Sequence, residues 1–507
     1  MSTSPTATPS LSLSRDDWAA RAAALRFDGR PFVDGQRVAP LTDASFDVVN
    51  PQTGERLASL PACGQADVDR AVASARRAFD SGVWSDMAPY ARCQVVRRFG
   101  NLVVKHGQEL GLLDCLQMGA PIGSIICNMQ PADEIAGEVA ALAEQLHDEA
   151  LLSVPSALAL NLRLPHGVVA AIAPWNAPVH TTLMKVLPAL AMGNTVVLKP
   201  SELAPLGCLR LADLAVEAGI PPGVFNALPG LGPQAGKALA LHMDVDFLSF
   251  TGSTATGLQL MQYAGLSNMK GLVLECGGKS AQVVFDDVGD LDAVADALVQ
   301  NFTFNSGQVC SVHARILVAD ALHDRLLAML AARVEATRTG DPLDPATTLG
   351  PLASAGQFAR VTGLLEQARP TDRLVASGQA LGGSPFALAP RLYASTDHSA
   401  PLLQQEIFGP VASVLRFADE AQALALANDS RYGLAGTVWT RDFQQSRRFL
   451  RRMRAGFAVS NAVAKPTPSL AYFATGEPVG MSGFGAVAGV AGVLVYARAR
   501  MHLHHLG

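Results

Sequence analysis

The sequence has little charge and few aromatic residues for its length. Of 507 residues, 16% are charged and 6% are aromatic, whereas 49% are hydrophobic. Because so many apolar residues can form large cores, a mainly disordered chain is excluded. The net charge of -5 is spread over residues of both signs. We interpret the densest basic stretch, residues 447–454, as a solvated or ion-paired helix face, so no nucleic-acid partner is expected.

Long hydrophobic runs, a secretion signal and paired cysteines are also missing. The longest weakly polar stretch, residues 483–497, is rich in Gly and shorter than the roughly 20 residues of a membrane-spanning helix, so no membrane association is expected. The N-terminus lacks a basic start followed by an apolar segment, and we expect residues 1–20 to be a disordered lead. The seven cysteines contain no CxxC pair, which indicates free thiols in a reducing compartment, the cytoplasm.

Apolar runs typical of buried strands alternate with helical patterns along most of the chain. Helical spacing covers residues 67–79 and 91–110, and residues 151–164 alternate like an isolated strand pair. A first set of β-like runs comprises 167–172, 195–198 and 224–228, and a second set, starting near residue 271, comprises 272–274, 281–285, 314–318 and 411–417. This alternation predicts an α/β fold with parallel sheets, divided into two lobes that meet near residues 270–280.

Two polar clusters directly follow predicted strands, where the loops of an open α/β sheet place ligands. In Pro-Trp-Asn-Ala-Pro, residues 174–178, two prolines stiffen the loop, so the Asn176 amide can be fixed as a donor to a developing oxyanion. The alternative interpretation is an Asx-type turn. In the second cluster, Lys199 and Glu202 can hold neighbouring ribose hydroxyls; alternatively, residues 201–202 cap the next helix.

Two further clusters lie after the next apolar runs. Residues 250–257, Phe-Thr-Gly-Ser-Thr-Ala-Thr-Gly, open a helix with a Gly-Ser turn that suits a pyrophosphate, although an ordinary helix start gives the same pattern. Glu275 lies on a Glu-Cys-Gly-Gly turn, and Cys310 ends a Gly-Gln-Val-Cys stretch 35 residues later. A carboxylate and a thiol suit a general base and a nucleophile. The alternative for a single cysteine in an apolar stretch is inert core packing.

Taken in this order, the motifs resemble those of the aldehyde dehydrogenase superfamily, of the NAD(P)-dependent, Cys/Glu hydrolytic type. A later stretch, Glu406-Ile407-Phe408-Gly409-Pro410, matches as well, and the similarity covers roughly residues 28–500. The resemblance implies two Rossmann-like α/β lobes, one for the cofactor and one for catalysis, plus a small β-arm for oligomerisation. The implied domains are the NAD-binding domain at 21–142 and 166–277, the catalytic domain at 278–478, and the oligomerisation arm at 143–165 and 479–507.

The resemblance also implies roles for individual residues, with NAD as the cofactor and no metal. Cys310 would be the nucleophile, Glu275 the base and Asn176 the oxyanion donor, with Lys185 on the helix behind it. A Glu at position 202 favours NAD over NADP. The other expected cofactor contacts are Ile172, Pro174, Trp175, Lys199, Ser201, Gly232, Gly236, Thr251, Gly252, Ser253, Cys276, Gln357, Glu406 and Phe408. The expected substrate pocket consists of Ala177, Met184, Phe304, Val309 and Ser311.

The implied reaction is NAD-dependent oxidation of an aldehyde to the carboxylic acid, by a homodimer or homotetramer. Cys310 would form a thiohemiacetal and then a thioester, which water activated by Glu275 hydrolyses. Ala177, in place of a bulky aromatic residue, indicates a roomier apolar pocket for aromatic or longer aliphatic aldehydes. Two alternatives are a CoA-acylating aldehyde dehydrogenase, against which Glu275 argues, and a catalytically silent member of the family kept for binding or structure.

The C-terminal region departs from the family pattern. Ser482, Gly483 and Gly485 match it, but Gly480, Ala486 and Val487 replace a Lys, an Arg and a Glu. We expect the three lost charges to affect subunit packing and thermal stability rather than the nucleophile.

Overall fold

Two mainly parallel sheets organise the chain, and the computed structural model describes residues 13–151, 154–461 and 476–505. The strands in chain order are β1 (Phe32–Val33), β2 (Gln36–Arg37), β3 (Ser45–Val49), β4 (Arg56–Pro61), β5 (Glu149–Ala150), β6 (Ala157–Pro165), β7 (Val168–Ile172), β8 (Thr195–Lys199), β9 (Phe225–Ala227), β10 (Phe247–Thr251), β11 (Gly271–Glu275), β12 (Ala281–Val284), β13 (Arg315–Ala319), β14 (Asp372–Ser377), β15 (Arg391–Ser395), β16 (Val411–Phe417), β17 (Tyr432–Gly433), β18 (Ala435–Trp439), β19 (Phe457–Ser460), β20 (Val479–Gly480), β21 (Gly483–Phe484) and β22 (Ala497–His505).

Helices separate most of these strands and cover the sheets. In chain order they are α1 (Arg15–Ala24), α2 (Gln65–Asp80), α3 (Pro89–Lys105), α4 (Gly107–Met118), α5 (Pro131–Gln145), α6 (Pro178–Ala191), α7 (Leu206–Glu217), α8 (Lys237–Leu241), α9 (Thr254–Gly265), α10 (Leu291–Thr303), α11 (Asp320–Ala336), α12 (Ala355–Leu365), α13 (Pro401–Gln404), α14 (Glu420–Asn428), α15 (Phe443–Leu450) and α16 (Gly489–Leu494). Among the described residues, no helix combines the length and the apolar character needed to cross a bilayer.

The first lobe is built on an eight-stranded sheet in the order β2-β1-β9-β8-β7-β10-β11-β21. Strands β7, β8 and β10 consist entirely of buried residues, as expected for a parallel sheet with helices on both faces. From β7 the chain proceeds outward through β8 to β9, and it then returns to place β10 on the other side of β7. The ends of β7 and β10 therefore form the topological switch point, where open α/β sheets bind ligands.

The second lobe is built on a seven-stranded sheet in the order β14-β15-β16-β13-β12-β18-β19. β14 is antiparallel to β15, and the other pairs are parallel. The border between the lobes lies between β11 and β12, within the predicted range. The assignment of residues 272–274 to the second set of strands was wrong, because β11 pairs with β10 in the first sheet. Hydrophobic periodicity identifies a buried strand but does not say which sheet it joins.

A separate three-stranded sheet, in the order β22-β6-β5, forms an arm. Of the strand pair predicted within residues 151–164, only β6 falls in that range, and its partner β5 ends just before it. β22 pairs with β6 along its whole length, from Ala497 opposite Pro165 to His505 opposite Ala157. The arm therefore joins two distant parts of the chain into one element.

The N-terminal segment differs from the sequence-based expectation. The prediction of a disordered lead at 1–20 is wrong for its last residues, since α1 begins at Arg15; residues 1–12 lie outside the described part of the chain. Ser14 caps the helix through a reciprocal bond with Asp17, and Trp18 is fully buried in a cluster with Met118. Burial of the Trp18 side chain stabilises α1 against the rest of the protein. The polar composition of the N-terminus did not indicate this contact.

The helical pattern at 91–110 also corresponds to two helices rather than one. α3 ends at Lys105 and α4 begins at Gly107, and His106 between them has φ -94° and ψ 16°. The apolar spacing continues across this break, so the pattern did not reveal it.

Candidate active site

Four parallel strands of the first lobe end at one edge. In the register of the sheet, Ile172 is opposite Lys199, and Thr251 is opposite Glu275. Because β10 also pairs with β7 one residue before Thr251, these four strand ends lie side by side. The polar clusters found in the sequence are thus brought together by strand pairing.

The Asn176 side chain is fixed by the second lobe. It is 8% exposed, and its amide donates to the backbone oxygen of Gln308 at 2.9 Å. The backbone oxygen of Asn176 in turn accepts from the Asn305 amide at 2.9 Å. These bonds cross between the lobes, so the Asx-turn alternative is not what the structure shows. One amide hydrogen is used by Gln308, and the other is left for a ligand.

The loop that leads to Cys310 has an unusual backbone. Asn305, Ser306 and Gly307 have φ values of 49°, 57° and 71°, three successive residues in the left-handed region. A side chain at Gly307 would collide with the backbone of Gly409, so only glycine fits there. Of the seven cysteines, six are buried and Cys310 alone is partly exposed, which argues against inert core packing.

Cys310 faces Glu275 across the boundary between the lobes. The turn that follows Glu275 packs against Cys310, since a side chain at Gly278 would meet the Cys310 backbone oxygen. The Glu275 carboxyl is close enough to the Cys310 thiol and to the Thr251 hydroxyl for these groups to affect its pKa. Burial and the neighbouring Glu275 raise the pKa of Cys310 well above its ordinary value, and burial raises the pKa of Glu275. The site therefore places a thiol of low acidity beside a carboxyl group.

Lys185 completes this row of groups. Its Nζ donates to the Thr251 hydroxyl at 2.6 Å, and Thr251 and Lys185 both act to lower the pKa of Glu275. Burial lowers the pKa of Lys185 to about 8, against the opposing effect of Glu275. With a pKa of about 8, Lys185 can give up or take up a proton near physiological pH. In its charged form it favours the ionised form of Glu275.

An ion pair lies at the end of β8, and open space adjoins Gly232 nearby. Lys199 donates to Glu202 at 3.1 Å and to the Pro200 backbone oxygen at 3.0 Å. The nearest neighbour of a side chain at Gly236 would be the stem of Lys199, whereas a side chain at Gly232 would meet nothing. α7 begins only at Leu206 and is capped by Pro205, so residues 201–202 do not cap it; the Ser201 hydroxyl accepts from Leu203 instead.

The loop after β10 forms a helix start at the switch point. Ser253 caps the twelve-residue helix α9, and its hydroxyl accepts from the backbone N–H of Thr256 at 3.2 Å. Gly252 donates its N–H to the Glu275 backbone oxygen at 3.1 Å. An exposed helix N-terminus beside two strand ends suits an anionic group such as a pyrophosphate.

Four predicted cofactor contacts meet where the second lobe faces β7. The Phe408 ring lies edge-on to Trp175 with centroids 5.4 Å apart, and the Phe408 backbone oxygen accepts from the Gln357 amide at 2.6 Å. Phe408 has a φ of 58°. The Glu406 carboxylate accepts from the backbone N–H of Gly278 at 3.0 Å, directly after the turn that carries Glu275.

One predicted cofactor contact is placed differently from the expectation. The Cys276 thiol packs beneath α9 against Gly257, and its N–H donates to the Ser482 backbone oxygen, so neither group is available to a cofactor. Met184, expected near Ala177 and Phe304, lies two turns along α6 from Ala177 and lines a narrow cleft with Val487 and Val493. Its place in the substrate pocket stays a prediction.

The other expected pocket residues divide between the lobes. Ala177 and Phe304 pack against the same buried cluster, which contains Met118 and Ile122. Val309 packs against the core of the second lobe, and Ser311 follows Cys310 on its turn.

Two residues that contact Asn176 or the turn after Glu275 were not among the site residues expected from the sequence. Gln308 receives the Asn176 amide through its backbone oxygen, and its side chain accepts from the Ala353 N–H at 2.9 Å. Ser482 bonds to the turn after Glu275. Both belong to motifs quoted from the sequence, but contacts between distant segments give no local signal.

Comparison with known proteins agrees with this arrangement. The chain matches the aldehyde dehydrogenase family over residues 39–501. It is 40% identical over 450 residues to the NADP/NAD-dependent aldehyde dehydrogenase PuuC of Escherichia coli, covering 88% of this chain and 90% of that protein. It is also 40% identical over 476 residues to the aminoacetaldehyde dehydrogenase of Pseudomonas aeruginosa, covering 93% and 95% respectively.

Solved structures show the same likeness. A mutant of the P. syringae indole-3-acetaldehyde dehydrogenase AldA, in complex with NAD+ and IAA, superposes with a TM-score of 0.93 at 40% identity, over 97% of this chain and 100% of that one. The chain therefore belongs to the aldehyde dehydrogenase family. This membership confirms the resemblance, the α/β fold class and the assignment to aldehyde oxidoreductases.

Proposed function

We propose that this enzyme oxidises an aldehyde to the carboxylic acid with NAD, using Cys310 as the nucleophile and Glu275 as the base. One juxtaposition carries the proposal: the turn that follows Glu275 packs against Cys310 through Gly278, and the Glu275 carboxyl is close enough to the Cys310 thiol to raise its pKa. Asn176, whose amide is bound to Gln308 two residues before Cys310, supplies a fixed donor beside them.

The groups at the switch point are of the kinds that hold a dinucleotide. The buried Lys199 and the half-exposed Glu202 form an ion pair that can face ribose hydroxyls, and Gly232 leaves open space beside it. Glu202 disfavours the 2′-phosphate of NADP because like charges repel. When bound, NAD supplies the acceptor for the hydride that leaves the substrate carbon. The name of the Escherichia coli relative and the NAD+ complex of the P. syringae enzyme support this cofactor.

The first half of the reaction forms a bond to sulfur. The Cys310 sulfur attacks the carbonyl carbon as the thiolate, after the thiol proton has passed to solvent water. The oxyanion accepts hydrogen bonds from the Asn176 amide and from the Cys310 backbone N–H, and a preorganised donor of this kind typically contributes about 100- to 1,000-fold in rate. Loss of a hydride from the same carbon leaves a thioester on Cys310.

The second half releases the acid. Glu275 takes a proton from a water molecule as that water attacks the thioester carbon. The carbon–sulfur bond then breaks, Cys310 leaves as the thiolate, and Glu275 returns its proton to solvent water. The charge of Lys185 favours the ionised form of Glu275.

We further propose that apolar aldehydes, aromatic or longer aliphatic, are the preferred substrates. Ala177 leaves the loop after Asn176 without a bulky side chain, and Phe304 packs on the same apolar cluster. Ala177→Phe should therefore lower kcat/KM for aromatic aldehydes by about tenfold, since a filled pocket loses their apolar contacts, and leave acetaldehyde nearly unaffected. An equal loss for both would contradict this assignment.

A homodimer or homotetramer is the assembly that the arm supports. β22 lies at the edge of its sheet, with Met501 65% and Leu503 50% exposed, and such an edge can pair with another chain. The domain functions expected from the sequence are part of this proposal: a cofactor lobe, a catalytic lobe and an oligomerisation arm. Seven free thiols support a location in the cytoplasm.

The Cys310→Ala variant tests the proposed function. We expect it to lose aldehyde-dependent NAD reduction while binding NAD as the wild type does. Cys208→Ala, which removes a buried thiol bonded to Thr182, is the matched control and should stay active. A screen with aromatic, aliphatic and amino-aldehydes, each with NAD, with NADP and with or without CoA, identifies the substrate and product. Turnover by Cys310→Ala, or a strict requirement for CoA, would refute the proposal.

A further inference from the structure

A short segment near the C-terminus, residues 479–485, crosses from one lobe to the other. At its start, Gly480 pairs with Tyr432 of the second lobe. At its end, Gly483 pairs with Glu275 of the first lobe. We call residues 479–485 the crossing segment. It is the part of the C-terminal motif in which Ser482 and Gly483 match the family pattern.

Ser482 lies at the centre of the crossing segment and is fully buried. Its hydroxyl donates to the Gly277 backbone oxygen at 2.7 Å and accepts from the Gly433 N–H at 3.0 Å. Its own backbone oxygen accepts from the Cys276 N–H at 2.9 Å. One residue therefore binds the Cys276 N–H and the Gly277 oxygen, on the turn that follows Glu275, and ties this turn to the second lobe.

Gly483 holds the other side of the same turn. It has a φ of 105°, and a side chain there would collide with the backbone oxygen of Leu274. The two backbones therefore abut directly. Leu274, Cys276 and Gly277 all contact residues 482–483, so the chain on each side of Glu275 is fixed by the crossing segment.

The groups that act on the aldehyde carbonyl are held by different contacts. Asn176 is fixed through Gln308, and the Cys310 loop is fixed by the close approach of Gly307 to Gly409. Ser482 makes none of these contacts. A change at Ser482 should therefore move Glu275 without moving the oxyanion donor or the nucleophile.

We propose that Ser482 is a positioning residue for the base: through Gly277 and Cys276 it sets where the Glu275 carboxylate stands relative to Cys310. The inference rests on the proposed function. Without the hydroxyl, Gly277 and Gly433 each keep a buried polar group with no partner, and the turn relaxes. A general base must lie within hydrogen-bonding distance of the proton it removes, so a small displacement slows hydrolysis of the thioester.

The residues that depart from the family pattern do not contact the turn that follows Glu275. Gly480 has a φ of 62° and approaches the Arg431 backbone, so glycine suits its conformation. Ala486 and Val487 follow the contact with β11. Ser482 and Gly483, which contact residues 274–277, therefore match the family pattern, whereas Gly480, Ala486 and Val487 lie outside this contact.

The test measures formation and decay of the acyl-enzyme separately, without a cofactor. A p-nitrophenyl ester of a carboxylic acid acylates Cys310 and releases p-nitrophenolate, and intact-mass spectrometry follows the acyl adduct as water removes it. For Ser482→Ala we expect acylation within about threefold of the wild type and decay of the adduct at least tenfold slower, since misplacement by about 1 Å can cost 100-fold. Ser482→Cys, which keeps a weak donor, should lie between the two.

Thr440→Val is the matched control. Its hydroxyl is equally buried and bonds to Asp287 and Gln445 in the second lobe, so its loss should leave the ratio of decay to acylation unchanged. An unchanged ratio in Ser482→Ala would overturn the inference, as would an equal slowing of both steps. If Ser482→Ala does not accumulate as folded protein, Ser482→Cys is judged by the same ratio. A wild-type enzyme that forms no adduct at Cys310 would refute the proposed function and the inference with it.

Discussion

The two lobes hold their reactive groups in different ways. In the first lobe, Lys199, Thr251 and Glu275 end regular strands, and parallel pairing places them at one edge. In the second, Cys310 follows a loop with three successive left-handed residues, supported by close backbone contacts rather than by a sheet. The first arrangement follows from the hydrogen-bonded register of the strands. The second depends on a left-handed backbone conformation that few residue types adopt.

The contact that joins these two arrangements should show the largest effect. Asn176→Ala removes the amide that crosses from the first lobe to Gln308 and that we assign to the oxyanion. We expect kcat to fall by about 100- to 1,000-fold, with little change in NAD affinity. Steady-state kinetics and a binding titration measure the two quantities. Asn161→Ala, on the arm beside Glu149, is the control; a loss confined to NAD binding would contradict the assigned role.

A pair of glycine substitutions sharpens the comparison of regular and irregular backbone. Gly307→Ala forces a side chain into the Gly409 backbone at a φ of 71°, and we expect it to lower the free energy of unfolding by about 2 kcal/mol or more. Gly363→Ala lies in α12 with open space around it, and should raise that free energy by about 0.5–1 kcal/mol. Urea denaturation of both variants provides the measurement, and similar values for the two would show that the loop is not strained.

A smaller effect concerns the acidity of the nucleophile. Burial and Glu275 raise the pKa of Cys310, so its thiolate fraction is below that of an ordinary thiol at neutral pH and keeps increasing in alkaline solution. Alkylation by iodoacetamide, followed at residue 310 by peptide mass spectrometry, should therefore still accelerate above pH 9 in the enzyme without cofactor. A plateau below about pH 8.5, the ordinary range of a thiol, would show that the pKa is not raised.

The regular lobe was the part that sequence could predict. The polar clusters were expected at strand ends, and the strands β7, β8, β10 and β11 end at Ile172, Lys199, Thr251 and Glu275. Short-range periodicity and turn residues are enough to find such positions. They did not show which sheet residues 272–274 join, since that depends on pairing with a distant strand.

The contacts across the lobes were the part that sequence could not predict. The bond from Asn176 to Gln308, the burial of Trp18 and the three bonds of Ser482 all join residues far apart in the chain. The left-handed conformation of Asn305 and Ser306 has no marker in their identity, apart from the glycine that follows. The roles of individual cofactor and pocket residues stay predictions.

The most direct test of the account follows the thioester on the sulfur in a Glu275→Gln variant. This change leaves the side chain nearly the same size but removes the base. Mixed with an aldehyde and NAD, the variant should produce about one NADH per active site and then nearly stop. Mass spectrometry should find the acyl group on residue 310. Normal steady turnover by this variant, or an acyl group on any other residue, would contradict the pairing of Cys310 with Glu275.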